Sequence, residues 1–478
     1  MLTIANLSKK LLRAEYAVRG PIVVRAQQLE AQGRKVYYCN IGNPQALKQP
    51  PLTYIRQLLS LLEYPALLEH EALRSCYPVD VIERAKAILD KHPIGLGAYT
   101  QSAGIPFVRK SIADFIARRD GIPTDPTRVI VTDGASKAAQ SVLTALLRND
   151  NDGFMIPIPQ YPLYSASLTL YGGQQIEYLL DEEHEWQLRE DVLVESYSNA
   201  VARGIRPVGI VVINPGNPTG AVLTRENIEM VLRFARDRGL AVIADEVYQE
   251  NVYASGRTFC SFAKVMHEIQ DKDTPLFSAH SVSKGFLGEC GHRGGYLEMR
   301  NISDEVADQF IKLQSISLCA NVAGQIVTHV MVSPPEPGQP SYETYVRERD
   351  GILRDLGEKA EILGRAVNKI PGMSVDMPQG AMYAFVRFEL PDEPGVDVSA
   401  MTPVERKDYE ATRNGAYCLA LLEATGICVV PGSGFGQPPG TLHFRTTFLP
   451  PKDEILALVG ELGAFHQRYC EALSKGRC

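Results

Sequence analysis

The chain has 478 residues, 45% of them hydrophobic and 22% charged, with a formal net charge of −7, the make-up of a folded globular protein rather than a disordered or fibrous one. An acidic balance of this size counts against nucleic acid or an anionic membrane surface as the main partner. Nine cysteines with irregular spacing and no CxxC pair suggest neither a disulfide framework nor a metal site, so reduced thiols in the cytoplasm are the expectation, with the mitochondrial matrix a minor alternative.

The chain opens with "MLTIANLSKKLLRAEYAVRG", which has no long apolar run before a cleavage-type site and so predicts no secretion signal. Residues 1–45 are expected to form an arm that crosses to a smaller domain or to another subunit. The longest apolar runs, such as "VGIVVI", are strand-sized and predict no membrane span.

Residues 46–340 read as a large α/β domain with its sheet core at about 96–318. "RVIVTDG", "GFMIPIPQYP", "PVGIVVINPGNPTG", "GLAVIADEVY", "PLFSAHSVSKG" and "RGGYLEM" are short β-branched runs that each end in a turn. Several are continuously apolar, as strands covered on both faces must be, and helical stretches such as "ASKAAQSVLTALLRND" and "TRENIEMVLRFARDRG" lie between them. The pattern predicts an α/β fold with a mainly parallel sheet sandwiched by helices. At "SPPEPGQPSYETY" the composition turns to proline and glycine, a boundary. Residues 341–478 then read as a smaller α+β domain: a long amphipathic helix up to Pro371-Gly372, followed by short strands in "AMYAFVRFEL", "GICVVPG" and "TLHFRTTF".

In open parallel sheets, ligands sit beyond the carboxyl ends of the strands, and the out-of-place polar residues here fall at such ends. Lys284 follows a buried strand between Ser281, Ser283 and Gly285. An isolated lysine is far more often a solvated surface charge, but partial desolvation at a strand end favours the neutral amine that forms a Schiff base with an aldehyde. Pyridoxal 5'-phosphate is the cofactor that uses such a lysine, and its other needs have candidates in order along the chain. Asp245 is suited to pair with the ring nitrogen, although an aspartate there also suits a helix cap. Asn217 in "NPGNPTG" and Tyr248 are potential donors to the phenolic oxygen, and Tyr161 is an aromatic for the ring face. Backbone amides near Ala135 and Ser136, with Ser281 and Arg293, would hold the phosphate. Arg445, in an apolar strand-like run, needs an anionic partner, either a substrate carboxylate or a structural salt bridge. By contrast, "PGSGFGQPPG" lacks the spacing of a dinucleotide-binding turn.

Taken together, Tyr99, "GAS" at Gly134 to Ser136, Tyr161, "NPGNPTG", "ADEVY", "SVSK", Arg293 and Arg445 resemble the fold-type I pyridoxal-phosphate aminotransferases of the aspartate aminotransferase superfamily. "EYAVRGPIV", "IPIPQYPLYSA", "GECGHRGGY" and "LLEATGICVVPGSGFGQ" are similar to its alanine aminotransferase branch, from about Leu12 to His466. The resemblance implies Lys284 as the aldimine lysine and proton shuttle, and Asp245 and Tyr248 as catalytic partners on the ring. It implies Tyr99, Ala135, Ser136, Lys137, Ser281 and Arg293 around the phosphate, with Tyr99 reaching that of a neighbouring subunit. Gly42, Asn217 and Arg445 would meet the substrate carboxylate. The implied reaction is ping-pong transamination between L-alanine and 2-oxoglutarate by a homodimer without a metal. Two rivals stay open, a glutamate or alanine:glyoxylate aminotransferase and a non-catalytic ligand-binding regulator that kept the fold. Cys290 receives no role.

Overall fold

A computed structural model describes residues 2–393 and 395–476. Its strands, in chain order, are β1 (Tyr37–Tyr38), β2 (Val129–Thr132), β3 (Asp152–Ile158), β4 (Gln174–Leu179), β5 (Arg206–Ile213), β6 (Ala241–Asp245), β7 (Leu276–Ser281), β8 (Gly295–Arg300), β9 (Met373–Ser374), β10 (Tyr383–Phe388), β11 (Ile427–Cys428), β12 (Val430–Pro431) and β13 (His443–Thr447). Seven of them form one sheet in the order β2-β8-β7-β6-β5-β3-β4. Only β8 runs against its neighbours, so the sheet is mainly parallel.

Every residue of β2, β3, β6 and β7 is buried, which is why these strands read as unbroken apolar runs. On one face Ile130, Val211, Ile243 and Phe277 pack with the helices Ala135–Leu146, Leu163–Tyr171 and Asp304–Ile316. On the other, Met155, Ile210, Val242 and Leu276 pack with Arg225–Asp237 and Phe262–Glu268. Thr224 caps the helix Arg225–Asp237 by accepting from the Asn227 amide at 3.1 Å. The edge strand β4 was not expected from the sequence: its run QQIEYL buries only Ile176 and Tyr178, too short an alternation to stand out.

After the proline-rich turn, the helix Tyr342–Val367 ends before Pro371-Gly372, as the sequence implied. A second sheet, β12-β13-β10-β9, is antiparallel and packs with the helices Tyr342–Val367 and Pro403–Thr425, against which the helix Lys452–Ser474 lies. The N-terminal segment joins this half: β1 pairs in parallel with β11, and the helix Pro21–Ala31 lies against Pro403–Thr425. Before that, the short helix Lys9–Arg13 rests on Leu163–Tyr171 beside the large sheet, so within one chain the arm bridges both sheets. Among the described residues, no helix is long and apolar enough to cross a membrane.

Candidate active site

The carboxyl ends of β5, β6 and β7 open onto a cavity of about 440 Å³ that also receives Tyr161, Arg293, Arg445 and Tyr383. A larger groove of about 1190 Å³ lies between Tyr342–Val367 and Lys452–Ser474, but it holds none of the residues singled out by sequence.

Lys284 sits three residues past β7, and its Nζ donates to the Gly42 carbonyl at 2.5 Å. Gly42 is close because it has no side chain: a Cβ there would overlap the Tyr383 hydroxyl and lie 2.8 Å from Lys284 Nζ. Asp245 ends β6. Its Oδ2 accepts from the Tyr164 hydroxyl at 2.8 Å, whereas Oδ1 is buried without a partner. Burial pushes the carboxyl up to about 6, against the opposing pull of the Tyr164 bond and of Lys284. A buried acceptor left open beside a cavity calls for a donor that is not part of the chain.

At the far end, Gly134 caps the helix Ala135–Leu146 with φ +82 and no side-chain cap; the Lys137 and Ala138 amides donate to its carbonyl, which leaves those of Ala135 and Ser136 on the cavity wall as the unmatched donors. Arg293 reaches over this turn. Its Nη2 donates to the Asp133 carbonyl at 2.8 Å and its Nη1 to the Cys290 carbonyl at 3.0 Å. A Cβ on Gly134 would lie 2.8 Å from Arg293 Nη2 and push the guanidinium from this position, and the φ of +82 itself favours glycine. Ser281 is buried; its Oγ donates to Ser283 Oγ at 2.9 Å and accepts from the Ser283 amide at 3.0 Å. Cys290 lines the same end, and its thiol donates to the Ser283 carbonyl at 3.1 Å.

Arg445 is 1% exposed. It donates to Asn217 Oδ1 at 3.0 Å and to the Asn40 carbonyl at 2.5 Å, both neutral acceptors. The rings of Tyr383 and Phe435 lie 4.1 and 4.8 Å from its guanidinium carbon, and Nε has no partner. Among the described residues, no carboxylate forms an ion pair with Lys284, Arg293 or Arg445. Three cations without a salt-bridge partner, set against the single carboxylate of Asp245 in the same cavity, mark it as a site for an anionic ligand or ligands.

The structure thus gathers Gly42, Ala135, Ser136, Tyr161, Asn217, Asp245, Tyr248, Ser281, Lys284, Arg293 and Arg445 on one cavity. Lys137 lies in the first turn of its helix but is not among the residues lining the cavity. Tyr99 is 73% exposed and stands outside the cavity of its own chain. Sequence reasoning missed Tyr16, Asn40, Tyr164 and Tyr383. Tyr383 had a usable signal: it opens the strand that pairs with the strand of Arg445, with Phe385 opposite Arg445, so Tyr383 shares that face. It is bonded to Tyr248. Burial raises Tyr248, while Lys284 and Arg445 overcome the burial of Tyr383 and hold its phenol below the ordinary tyrosine range.

These features fit pyridoxal phosphate. The open Asp245 oxygen suits a protonated ring nitrogen, the unmatched amides with Arg293 suit a phosphate, and Lys284 lies between them on the cavity wall. The profile of the family described as aminotransferase class I and II matches residues 73–462. This chain belongs to the class I and II aminotransferases. Members of the family are pyridoxal-phosphate enzymes that carry out transamination. The aminotransferase is 46% identical to the "probable alanine aminotransferase, mitochondrial" of Dictyostelium discoideum, over 98% of this chain and 89% of that protein. It is 43% identical to "glutamate–glyoxylate aminotransferase 2" of Arabidopsis thaliana, over 97% and 95%. Among solved structures, that of an alanine aminotransferase from Pyrococcus furiosus superposes with a TM-score of 0.76 at 27% identity, covering 97% of this chain and all of that one.

Proposed function

We propose that this aminotransferase moves the amino group of L-alanine to 2-oxoglutarate, giving pyruvate and L-glutamate, by a ping-pong reaction in which the two substrates use the same cavity in turn. The observation that carries the reading is the set of three unpaired cations around a cavity that also holds one open carboxylate oxygen. Alanine as the donor is supported by the relative at 46% identity that is named for it.

When bound, pyridoxal phosphate supplies an aldehyde that takes up the amino group and a ring that accepts the electron pair left when the α-proton departs. Asp245 keeps a positive charge on the ring nitrogen, and Asn217 and Tyr248 offer hydrogen bonds to the phenolic oxygen. Tyr161 covers one ring face. The amides of Ala135 and Ser136, the Ser281 hydroxyl and Arg293 grip the phosphate, with Lys137 at the edge of this group. Arg445 takes the substrate α-carboxylate as a planar fork, held flat by Tyr383 and Phe435, and Gly42 leaves room beside it. Lys284 Nζ removes the α-proton, a role that needs it neutral and within reach of the α-carbon.

The natural division of the chain is a large domain of residues 46–340, a small domain of 341–478 and an arm of 1–45 that joins the small one. We further infer a homodimer. Tyr99 is exposed beside the turn where the Thr100 amide donates to Cys319 Sγ at 3.5 Å, and Ile94, Ile316 and Leu318 are exposed as well. A second copy would cover this surface and receive Tyr99 at its phosphate. A reducing compartment, cytoplasmic or mitochondrial, suits a chain in which no two of the described cysteines are joined in a disulfide.

A second reading is an amino transfer to glyoxylate, favoured by the Arabidopsis relative. Initial rates with alanine or glutamate as donor and pyruvate, 2-oxoglutarate or glyoxylate as acceptor separate the two. Alanine with 2-oxoglutarate should give the highest kcat/KM; a higher value with glyoxylate would favour the second reading.

A further inference from the structure

An α-proton passes readily only to an amine held at the right distance and angle, since a misplacement of about 1 Å costs on the order of 100-fold in rate. Lys284 ends a long flexible side chain, so the reach of its Nζ depends on how firmly its own peptide is held. That peptide lies past β7, beyond the strand pairing. The residue after it, Gly285, has the left-handed φ of +65, and no ladder fixes its amide and carbonyl.

One side chain meets both groups. Asn251, in the loop after β6, is 0% exposed. Its Oδ1 accepts from the Gly285 amide at 2.9 Å, and its Nδ2 donates to the Gly285 carbonyl at 3.3 Å and to the Tyr253 hydroxyl at 2.8 Å. These partners fix which way the amide points. Tyr253 gives its proton to the Ala381 carbonyl at 3.0 Å, so towards Asn251 its oxygen accepts, and a turned amide would set donor against donor at Gly285. The backbone of Asn251 is anchored as well: its amide donates to the Tyr248 carbonyl at 2.7 Å, and its carbonyl accepts from the Ala381 amide at 3.0 Å. A Cβ on the neighbouring Gly380 would overlap that carbonyl. Ala381 leads directly into β10, which begins with Tyr383. A single buried residue thus joins the Lys284 turn, the Tyr248 loop and the strand of Tyr383.

We propose that Asn251 is a positioning residue: it clamps the Lys284–Gly285 peptide to the Tyr248 loop and the start of β10, so that Nζ is delivered to the α-carbon. The proposal rests on the reading of Lys284 as the amine that takes the α-proton. Asn251 is not among the residues lining the cavity and acts through Gly285 alone. A buried amide that served folding only would lower rate and stability together; a clamp lowers the rate of proton removal without loosening the grip on the substrate carboxylate.

Three variants separate the two. Asn251→Ala removes both bonds to Gly285, Asn251→Asp is nearly the same size and keeps only the acceptor, and Tyr253→Phe leaves both Gly285 bonds while removing a buried link to Ala381. In the cofactor-free proteins, deuterium uptake by the backbone around Gly285, read by mass spectrometry, should quicken about 10-fold or more in Asn251→Ala and stay near wild type in Tyr253→Phe. The loaded proteins are then mixed with whichever of L-alanine and L-glutamate reacts faster. Loss of the cofactor's visible band should slow about 10-fold or more in both Asn251 variants and less than about threefold in Tyr253→Phe, with the affinity for propionate, which reports on Arg445, within about threefold throughout. The isotope effect of the α-deuterated donor should rise in the Asn251 variants, because the proton step alone is slowed. Wild-type deuterium uptake in Asn251→Ala overturns the proposal. So does a band loss within twofold of wild type in loaded Asn251→Asp, or a set of rates that simply follows melting temperature across the three variants; in these cases an inactive Lys284→Ala leaves the functional reading intact. Reaction of Lys284→Ala at the wild-type rate, or of neither donor with the wild type, overturns the proposal together with the reading it rests on.

Discussion

Burial pushes the Asp245 carboxyl from 3.8 up to about 6, against the pull of the Tyr164 phenol, the Val247 amide and Lys284. The folded state thus favours its neutral form. Between about pH 4 and 6 the folded protein binds the proton more tightly than the unfolded chain, so this carboxyl makes the cofactor-free protein less stable as pH rises through that window. A cationic ring nitrogen reverses the balance, since only the carboxylate pairs with it. Cofactor affinity, followed by titrating the cofactor-free protein, should therefore fall as pH drops below about 6. Asp245→Asn should flatten that dependence and weaken binding at pH 7–8 by ~3 kcal/mol, the cost of breaking a buried pair. Wild-type affinity that is constant from pH 5 to 8 would contradict the pairing. At this scale the sequence was most readable where a residue's chemistry was out of place in its surroundings: a lysine after a buried strand, or an arginine in an apolar one. Tyr16, Asn40 and Tyr164 were not readable, because a tyrosine or asparagine looks at home in a turn or helix and gains its role here only from a partner distant in the chain, as Tyr164 does from Asp245.

Among the elements, β6 shows how strand alternation divides the chemistry. Asp245 faces the cavity, while the next residue, Glu246, faces the opposite layer, accepting from Ser278 Oγ at 2.5 Å and the Phe262 amide at 2.9 Å. Two adjacent acids thus serve site and scaffold separately. Strands β2, β3, β5, β6, β7 and β8 were legible because burial on both faces leaves an apolar signature, whereas β4 at the sheet edge carries too few buried positions to show. The turn from β2 into the helix Ala135–Leu146 is the most demanding element, with Gly134 at φ +82 and ψ 170 beside Arg293. That backbone region is nearly closed to other residues, and a side chain there costs ~1–3 kcal/mol. Gly134→Ala should weaken cofactor binding by at least ~10-fold, the equivalent of ~1.4 kcal/mol, while Gly291→Ala, where a Cβ meets nothing within 4 Å, serves as the control in the neighbouring loop. Equal affinity in the two variants would count against the phosphate assignment.

Over the whole molecule, the large sheet supplies Asp245, Lys284 and the helix start, and the small sheet supplies Arg445 and Tyr383. The arm adds Tyr16 to the cavity wall. The layered α/β architecture was legible from the order of strands and helices, and the proline-rich turn marked where the second sheet would begin. The path of the arm was not, since its contacts with both sheets depend on packing rather than on its own periodicity. Exposed Tyr99 supports the proposed homodimer: if it forms, dilution that dissociates it should release cofactor in parallel, and unchanged cofactor affinity in the monomer would refute a shared site. Mixing holoenzyme with L-alanine alone tests whether Lys284 is the reacting amine of the cavity. The wild-type protein should release one pyruvate per active site and lose the cofactor's visible band, and a cofactor-loaded Lys284→Ala variant should do neither within the wild-type reaction time. Pyruvate release by that variant at the wild-type rate would contradict it.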